Sequence, residues 1–218
     1  MDEPLSWNSF DSLTANQRQQ LNAFGEMLCR FNDRLNLISA DSEDEFHTRH
    51  LLHCLSLTVQ GFPEGCTIVD WGTGGGLPAI PLAIFFPEVT VVGVDSVGKK
   101  GRAVRTMARR LGLDNCYAWT GRAEEWTGTA HYSVSRATAP LAELWQWHRR
   151  VAVDLPGLPG EDEWPPGLLA LKGGDLTPEL DELQQADPEA TVVRRSLQLL
   201  LGRNEFFDEK EIVAVRGL

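Results

Sequence analysis

The sequence predicts an α/β fold in which helices cover a mostly parallel sheet, with an antiparallel C-terminal hairpin and an N-terminal helical segment. Two observations predict this fold. From residue 67 onward, short apolar segments alternate with amphipathic helical segments, which is the pattern of βαβ units. The 218 residues, 42% hydrophobic and 23% charged, suffice for one domain with a short extension. We expect residues 1–61 to pack as helices on a ligand-binding domain formed by residues 62–218.

Composition narrows the classes of protein to which the chain can belong. Its formal net charge of −11 argues against a sequence-independent nucleic-acid binder, which is usually basic, although one basic face could still contact phosphates. The four cysteines form no CxxC pair, so neither a zinc site nor a disulfide framework is expected. No apolar run approaches the roughly 18 residues that span a bilayer, and the first residues do not resemble a secretory signal. We therefore expect a cytoplasmic, monomeric protein with no metal and no membrane partner.

Two helices are predicted before residue 61. Thr14 can cap the first, whose apolar residues recur every three or four positions and so line one face. These residues are Leu21, Phe24, Leu28, Phe31 and Leu35. Ser42 followed by Glu45 matches a capping box and predicts a second helix that continues through Leu55. Gly61 then ends the helical pattern.

Five strands of a parallel sheet are predicted next, at residues 67–71, 89–94, 116–120, 132–136 and 168–172. The helices that connect them are predicted to end near residue 86 and to span 99–111 and 140–153. Residues 154–167 are rich in proline and glycine and predict an exposed loop. Residues 192–201 and 211–216 are strand-like with only a loop between them, which predicts the antiparallel hairpin at the sheet edge.

The turn after the first predicted strand is the most informative site in the sequence. Residues 70–76 (DWGTGGG) place glycines at alternate positions after an acidic residue. Without Cβ atoms, such a turn lets a ligand approach the backbone at the sheet edge where open α/β folds bind ligands. A phosphate loop is excluded because no lysine follows the glycines, and a dinucleotide fingerprint needs its third glycine where Leu77 stands. The remaining ligand class is S-adenosylmethionine, which has no pyrophosphate.

Asp95 ends the second predicted strand and supports an adenosine ligand. A carboxylate there can accept hydrogen bonds from both ribose hydroxyls. NAD and S-adenosylmethionine share this ribose, so Asp95 does not distinguish them, and the distinction rests on Leu77. Residues 121–124 follow the third strand, where an adenine edge would lie.

Several segments resemble, in order, those of the RsmG (GidB) family of 16S rRNA methyltransferases. They are residues 31–39 (FNDRLNLIS), 49–52 (RHLL), 70–81 (DWGTGGGLPAIP), 95–100 (DSVGKK), 121–125 (GRAEE), 135–137 (SRA) and 172–173 (KG). The resemblance covers most of residues 25–175. It implies a Rossmann-like class I methyltransferase that uses S-adenosylmethionine to methylate N7 of a guanine in 16S rRNA. The implied partner is 16S ribosomal RNA or the small ribosomal subunit.

The resemblance also implies which residues contact the cofactor, and the ribose argument adds Asp95 to them. The implied residues are Gly72, Leu77, Ala123, Glu124 and Arg136. The chain departs from the family pattern at three positions. His53 stands where the family has an aspartate, Trp71 replaces a small aliphatic residue, and Ala79 replaces a glycine.

The implied chemistry needs little acid–base help. Guanine N7 has an available lone pair and no proton must leave first, so we expect no catalytic base. Arg136 stays protonated and could donate to the cofactor carboxylate or to RNA. Lys99, Lys100 and Arg102 begin a helix that has six basic residues and no acid, which is either a phosphate-facing stripe or a solvated face. Lys172 is expected near the same cleft and completes the candidate RNA contacts.

Two other functions remain open on the residues alone: an S-adenosylmethionine-dependent enzyme with a small-molecule substrate, and a non-catalytic ribosome-binding protein that keeps the fold. The basic helix and residues 32–39 and 49–52 favour RNA, and the intact glycine turn argues against loss of the cofactor. An NAD oxidoreductase is disfavoured by Leu77.

The histidines at positions 47, 50 and 53 have no further cysteine or acidic residue that would complete a metal site, so packing roles are favoured. Most tryptophans are expected in the core rather than stacked on bases.

Overall fold

The computed structural model describes residues 12–39, 46–136, 138–202 and 204–217. Within these ranges the strands are β1 (Thr67–Trp71), β2 (Thr90–Asp95), β3 (Cys116–Thr120), β4 (Tyr132–Arg136), β5 (Gly167–Gly173), β6 (Thr191–Ser196) and β7 (Lys210–Arg216). The helices are α1 (Ala15–Leu35), α2, α3 (Ala79–Phe85), α4 (Gly98–Arg110), α5 (Leu141–Val151), α6 (Thr177–Ala186) and α7 (Leu197–Leu201). Helix α2 is one continuous helical segment, π-helical over Phe46–Leu52, α-helical over His53–Leu55 and 3₁₀ over Ser56–Val59. Among the described helices, none combines the length and apolar character needed to cross a membrane.

The seven strands of the described residues belong to one sheet with the order β3-β2-β1-β4-β5-β7-β6. Strands β1 to β5 are parallel, whereas β7 runs antiparallel to both β5 and β6. The central strands are apolar on both sides because helices cover both faces: Ile68 lies in one hydrophobic core and Val69 in the other. The predicted fold class, the five parallel strands and the antiparallel hairpin are thereby confirmed.

The C-terminal part differs from the prediction in two places. The strand-like residues 192–201 divide, since β6 ends at Ser196 and residues 197–201 form α7. The Ser196 hydroxyl accepts the Leu199 N–H at 3.4 Å and caps this helix, whose sequence LQLLL has no β-branched residue to favour a strand. Helix α6 is absent from the predicted elements, although a proline in its first turn is a recognised start signal.

Helix α1 forms as its sequence predicts. The Gln17 N–H donates to the Thr14 hydroxyl at 3.2 Å, and the Thr14 N–H donates to Gln17 Oε1 at 2.9 Å, which completes a capping box. The apolar face packs in the same core as Ile80 of α3, through Leu21, Phe24 and Leu28. The capping box expected at residues 42–45 lies outside the described residues.

The end of α1 is shaped by the side chain of Asn32. This buried amide accepts hydrogen bonds from the Leu37 N–H at 2.6 Å and the Ile38 N–H at 2.9 Å. Asn36 closes the helix in the left-handed conformation, with a φ of 50°. The turn brings Leu37 against the glycine-rich segment, where a Cβ on Gly75 would lie 3.2 Å from Leu37 Cβ. The Asn32 side chain therefore fixes the conformation of the chain directly after α1.

We expect Asn32→Ala to lower the free energy of unfolding by about 2–3 kcal/mol, because two buried N–H donors lose their acceptor. Asn32→Asp retains an acceptor oxygen at the same place and should cost less. Urea denaturation of both variants beside the unmodified protein measures the difference. Equal losses for the two variants would contradict this role of the Oδ1 atom.

The proline-rich segment 154–167 is only partly the exposed loop that its composition predicts. Leu158 is 97% exposed, but Trp164 is 1% exposed, and its indole N–H donates to the Leu57 carbonyl at 2.7 Å. The Gly61 N–H also donates to the Asp162 carbonyl at 2.8 Å, so the end of the segment is tied to the residues after α2. The core interpretation of the tryptophans holds for Trp164 and likewise for Trp126 and Trp145, which are buried.

Candidate active site

The glycine-rich turn joins β1 to α3 at the carboxyl edge of the sheet. The N–H groups of Gly72 and Thr73 donate to the Val94 carbonyl at 2.9 and 3.0 Å, which ties the turn to the end of β2. Gly72 has a φ of +71°, and a Cβ there would overlap the Thr138 side chain after β4. The fold thus requires glycine at position 72 for two reasons, the left-handed backbone and the close approach of the loop after β4.

Asp95 is fixed at the end of β2 by two backbone donors. Its Oδ2 accepts the Gly74 N–H at 3.0 Å, and its Oδ1 accepts the Val97 N–H at 2.8 Å. Only 8% of the residue is exposed. The carboxylate is therefore held against the glycine turn, and each oxygen still has lone-pair capacity for a further donor.

A cavity of about 600 Å³ opens at this edge. All six residues predicted for cofactor binding border it: Gly72, Leu77, Asp95, Ala123, Glu124 and Arg136. They come from the ends of β1 to β4. In the strand order, β2 and β3 lie on one side of β1 and β4 lies on the other, and this reversal creates the crevice where open α/β sheets bind ligands.

The predicted RNA-binding residues are placed unequally. Lys100 borders the cavity, and Lys99 and Arg102 are exposed on α4 beside it. Lys172 is at the end of β5, but its ammonium donates to Glu179 Oε2 at 2.7 Å and to the Ala139 carbonyl at 2.6 Å. With a side chain only 10% exposed, Lys172 is bound within the protein.

Several residues that border the cavity were not identifiable from the sequence. Leu37 reaches it from the turn after α1, and Thr138 follows β4. Glu143 and Trp147 reach it from α5, where they are four positions apart and share one helix face. That spacing indicates that the two side chains lie on the same face of α5. It does not indicate that this face borders the cavity.

The departures from the family pattern at positions 71 and 53 are both accommodated in buried surroundings. Trp71 is fully buried, and its indole N–H donates to Ser133 Oγ at 3.0 Å. His53 packs its ring against Phe206 and Phe207, with centroid distances of 5.6 and 6.2 Å. Burial keeps the pKa of His53 well below its usual value, so a neutral imidazole occupies the place of the family aspartate.

Asp70, the acidic residue of the glycine motif, lies beneath the turn and is fully buried. Its Oδ2 accepts the Ala79 N–H at 3.1 Å, which fixes the start of α3. Burial raises the pKa of Asp70 from 3.8 to about 7, although hydrogen bonding and the nearby Arg136 act in the opposite direction. The carboxyl therefore titrates close to neutral pH.

Titration of Asp70 predicts a pH-dependent stability. Because its pKa is higher in the folded state, the protonated form favours folding below about pH 4, and this contribution is lost as the pH rises through about 7. Asp70→Asn retains an acceptor for the Ala79 N–H but cannot ionise. We expect its free energy of unfolding, relative to the unmodified protein, to increase by up to about 4 kcal/mol between acidic and mildly alkaline pH. Urea denaturation at several pH values measures this difference, and a pH-independent difference would contradict it.

The comparisons with known proteins agree with this geometry. Residues 17–186 match the GidB family, described as rRNA small subunit methyltransferase G. The ribosomal RNA small subunit methyltransferase G of Salinibacter ruber is 72% identical, over 99% of this chain and 100% of its own length. The protein of the same description from Cytophaga hutchinsonii is 35% identical, over 94% and 95%.

Solved structures share the fold at low identity. Fibrillarin of Aeropyrum pernix, in complex with natively bound S-adenosyl-L-methionine, has a TM-score of 0.53 at 16% identity, over 75% of this chain and 73% of its own. Geranyl diphosphate methyltransferase in complex with SAM has a TM-score of 0.56 at 13% identity, over 77% and 84%. These likenesses confirm the Rossmann-like class I methyltransferase fold. With the family match over most of its length, the chain belongs to the GidB family of rRNA small subunit methyltransferase G proteins.

Proposed function

We propose that this protein transfers the methyl group of S-adenosylmethionine to N7 of a guanine in 16S ribosomal RNA, acting in the cytoplasm as a monomer on the RNA or the small ribosomal subunit. One observation carries the proposal. A single cavity joins the glycine turn, the Asp95 carboxylate and the Arg136 guanidinium, in a member of a family of rRNA methyltransferases.

The cavity suits the cofactor in size and in donor chemistry. Its volume of about 600 Å³ lies within the range of roughly 300–1,000 Å³ typical of small-molecule sites. Asp95 offers carboxylate oxygens to ribose hydroxyls, and the backbone of the glycine turn borders the cavity at Gly72. Arg136 offers a charged donor to a carboxylate, and Ala123 and Glu124 border the expected adenine end. When bound, S-adenosylmethionine supplies a methyl group activated by its sulfonium.

The residues that border the cavity need only bind and orient the reactants. N7 of guanine presents its lone pair without losing a proton, so the reaction requires no base from the protein. Correct positioning of two reactants can by itself supply several kcal/mol of the barrier reduction. We therefore assign Gly72, Asp95 and Arg136 to binding and orientation, and no residue to proton abstraction.

We assign the RNA contacts to the start of α4. Lys99 and Arg102 are exposed and Lys100 borders the cavity, on a helix that has no acidic residue, in a chain with a net charge of −11. This separation of charge suits a phosphate backbone. Lys172 takes a different role in the proposal: its ion pair with Glu179 at 2.7 Å braces β5 against α6.

We expect Lys99→Glu and Arg102→Glu each to weaken binding of a 16S rRNA fragment about tenfold and to reduce its salt dependence, since each replaces a phosphate contact by repulsion. The affinity for S-adenosylmethionine should not change. Arg216→Glu is the matched control, because Arg216 ends β7 beside the first residues of β5, at the opposite edge of the sheet. Fluorescence anisotropy at several salt concentrations measures the effect. If the control variant weakens RNA binding equally, the assignment to α4 is wrong.

The function itself is tested by mapping N7-methylguanine in 16S rRNA from cells with and without this protein. We expect one modified guanine to disappear when the protein is absent, and purified protein with S-adenosylmethionine to restore it on unmodified subunits. Unchanged modification would overturn the rRNA substrate. Calorimetry with S-adenosylmethionine separates the remaining alternatives, because a small-molecule methyltransferase would still bind the cofactor and a non-catalytic ribosome-binding protein would not.

A further inference from the structure

The segment Arg49–Leu52 is one of the family motifs, yet it has no part in the function proposed above. The structure places one of its residues directly behind the cavity. His50 Nδ1 lies 2.9 Å from Arg136 Nη1. Arg136 borders the cavity, whereas His50 is 7% exposed and does not border it. His50 therefore reaches the border of the cavity through its hydrogen bond with Arg136.

The direction of this hydrogen bond follows from the chemistry of the two groups. A guanidinium has only donors, so His50 Nδ1 must be the acceptor and the ring must be neutral, with its proton on Nε2. Burial lowers the pKa of His50 to about 4, with further lowering by Arg136 and Arg49, and the neighbouring His53 is itself kept neutral by burial. The acceptor is therefore available throughout the physiological pH range.

The imidazole is held in place by the N-terminal helices. Its ring packs on Phe46 with a centroid distance of 5.9 Å, and Phe46 packs on Phe24 of α1 at 6.1 Å. Gly25 permits this close packing, since a Cβ there would lie 2.7 Å from the Phe46 ring. A chain of contacts thus leads from α1 through α2 to the guanidinium at the cavity.

We propose that His50 is a positioning residue: its Nδ1 lone pair holds the Arg136 guanidinium in the orientation that contacts S-adenosylmethionine, so that the N-terminal helices complete the cofactor site. The inference rests on the proposed cofactor function of Arg136. It also gives the Arg49–Leu52 motif a physical role, which is to supply an acceptor for the cation that borders the cavity. A histidine that merely filled space would be replaceable by any ring of similar size.

The test compares two substitutions that separate hydrogen bonding from packing. His50→Asn places a carbonyl oxygen near the Nδ1 position, whereas His50→Phe keeps the ring but has no acceptor. We expect His50→Phe to raise the Kd for S-adenosylmethionine roughly tenfold, as for loss of a hydrogen bond to a charged group. His50→Asn should retain most of the affinity. The matched control is His131→Phe, because His131 Nδ1 also accepts a hydrogen bond, from the Thr67 N–H at 2.8 Å, at the opposite end of β1.

A double-mutant cycle tests whether His50 acts through Arg136. Calorimetry should give nearly the same Kd for Arg136→Ala and for Arg136→Ala combined with His50→Phe, because the second change has nothing left to orient. Additive losses, or equal losses for His50→Asn and His50→Phe in folded proteins, would overturn the proposal.

A ligand-free measurement keeps this inference distinct from the proposed function. Nitrogen-15 NMR of the histidine rings should report His50 Nδ1 as unprotonated from neutral pH down to about pH 5, as its acceptor role requires. A protonated Nδ1 would refute the role of His50 whatever the protein binds. Failure of the unmodified protein to bind S-adenosylmethionine would instead refute the cofactor assignment and, with it, the ligand that Arg136 is positioned to contact.

Discussion

Gly72→Ala is expected to raise the Kd for S-adenosylmethionine roughly 100-fold. The left-handed φ of +71° costs an alanine about 1–2 kcal/mol, and the overlap of its Cβ with Thr138 adds about 1–3 kcal/mol of overpacking. Thr138 is β-branched, and a Cβ on residue 72 would crowd its Cβ, Cγ2 and Oγ1 together, so rotation of the side chain does not relieve the overlap. The turn can relieve the overlap only by changing its backbone conformation, which alters the wall of the cavity. Isothermal titration calorimetry measures the loss.

Gly65→Ala is the matched control for this prediction. Gly65 has nearly the same backbone conformation, with a φ of +73°, but a Cβ there meets no atom within 4 Å. It carries the same backbone cost without the overlap, and it does not border the cavity. We expect this variant to lose about 1–2 kcal/mol of stability and to bind S-adenosylmethionine normally. If Gly72→Ala also binds normally, the glycine turn is not the cofactor site.

Asp95→Ala is expected to weaken S-adenosylmethionine binding by a similar factor, about 100-fold. The change removes the acceptor for any ribose hydroxyl and releases the Gly74 and Val97 N–H groups, which hold the turn against β2. Two hydrogen bonds from ribose hydroxyls to the Asp95 carboxylate would contribute about 3 kcal/mol together, which corresponds to roughly a 100-fold change in Kd. Asp95→Asn should give a Kd between those of the unmodified protein and of Asp95→Ala, because its side-chain amide has only one oxygen that can accept a hydrogen bond.

Asp175→Ala provides the comparison for Asp95. Asp175 Oδ1 accepts the Thr177 N–H at 2.9 Å, two residues ahead, in the same local arrangement as Asp95 with Val97. Asp175 does not border the cavity. Calorimetry should give an unchanged Kd for this variant. Normal binding by Asp95→Ala would remove the ribose argument on which the choice of an adenosine ligand depends.

The layout of the parallel sheet was predictable because its signals are local. Each strand from β1 to β5 is a short apolar run between helical segments, and each boundary lies within about two residues of the prediction. The carboxyl ends of parallel strands meet at one edge, so the glycine turn and Asp95 could be assigned to one ligand before their distance was known. In the structure they are in direct contact, since the Gly74 N–H donates to Asp95 Oδ2 at 3.0 Å.

The prediction was wrong or incomplete where a local pattern fits more than one structure. The apolar run at residues 197–201 fits a buried strand or a helix, and it forms α7, capped by Ser196 and with Leu197 and Leu201 in the core. Lys172 ends a strand as a ligand-binding cation does, and the structure adds an ion pair of its ammonium with Glu179 of α6 at 2.7 Å. Because α6 was itself not predicted, its partner role could not be foreseen.

The five parallel strands with the helices that connect β1 to β5, the glycine turn and the family were all accessible from the sequence, because these depend on periodicity and on residues that are close along the chain. The contacts between distant residues became visible only in the folded chain: His50 lies beside Arg136, Thr138 lies over Gly72, and Leu37 borders the cavity. Such contacts depend on strand register and on the packing of helices across the sheet. A shift of one residue in either would turn these side chains away from one another, and nothing in a local pattern specifies that alignment.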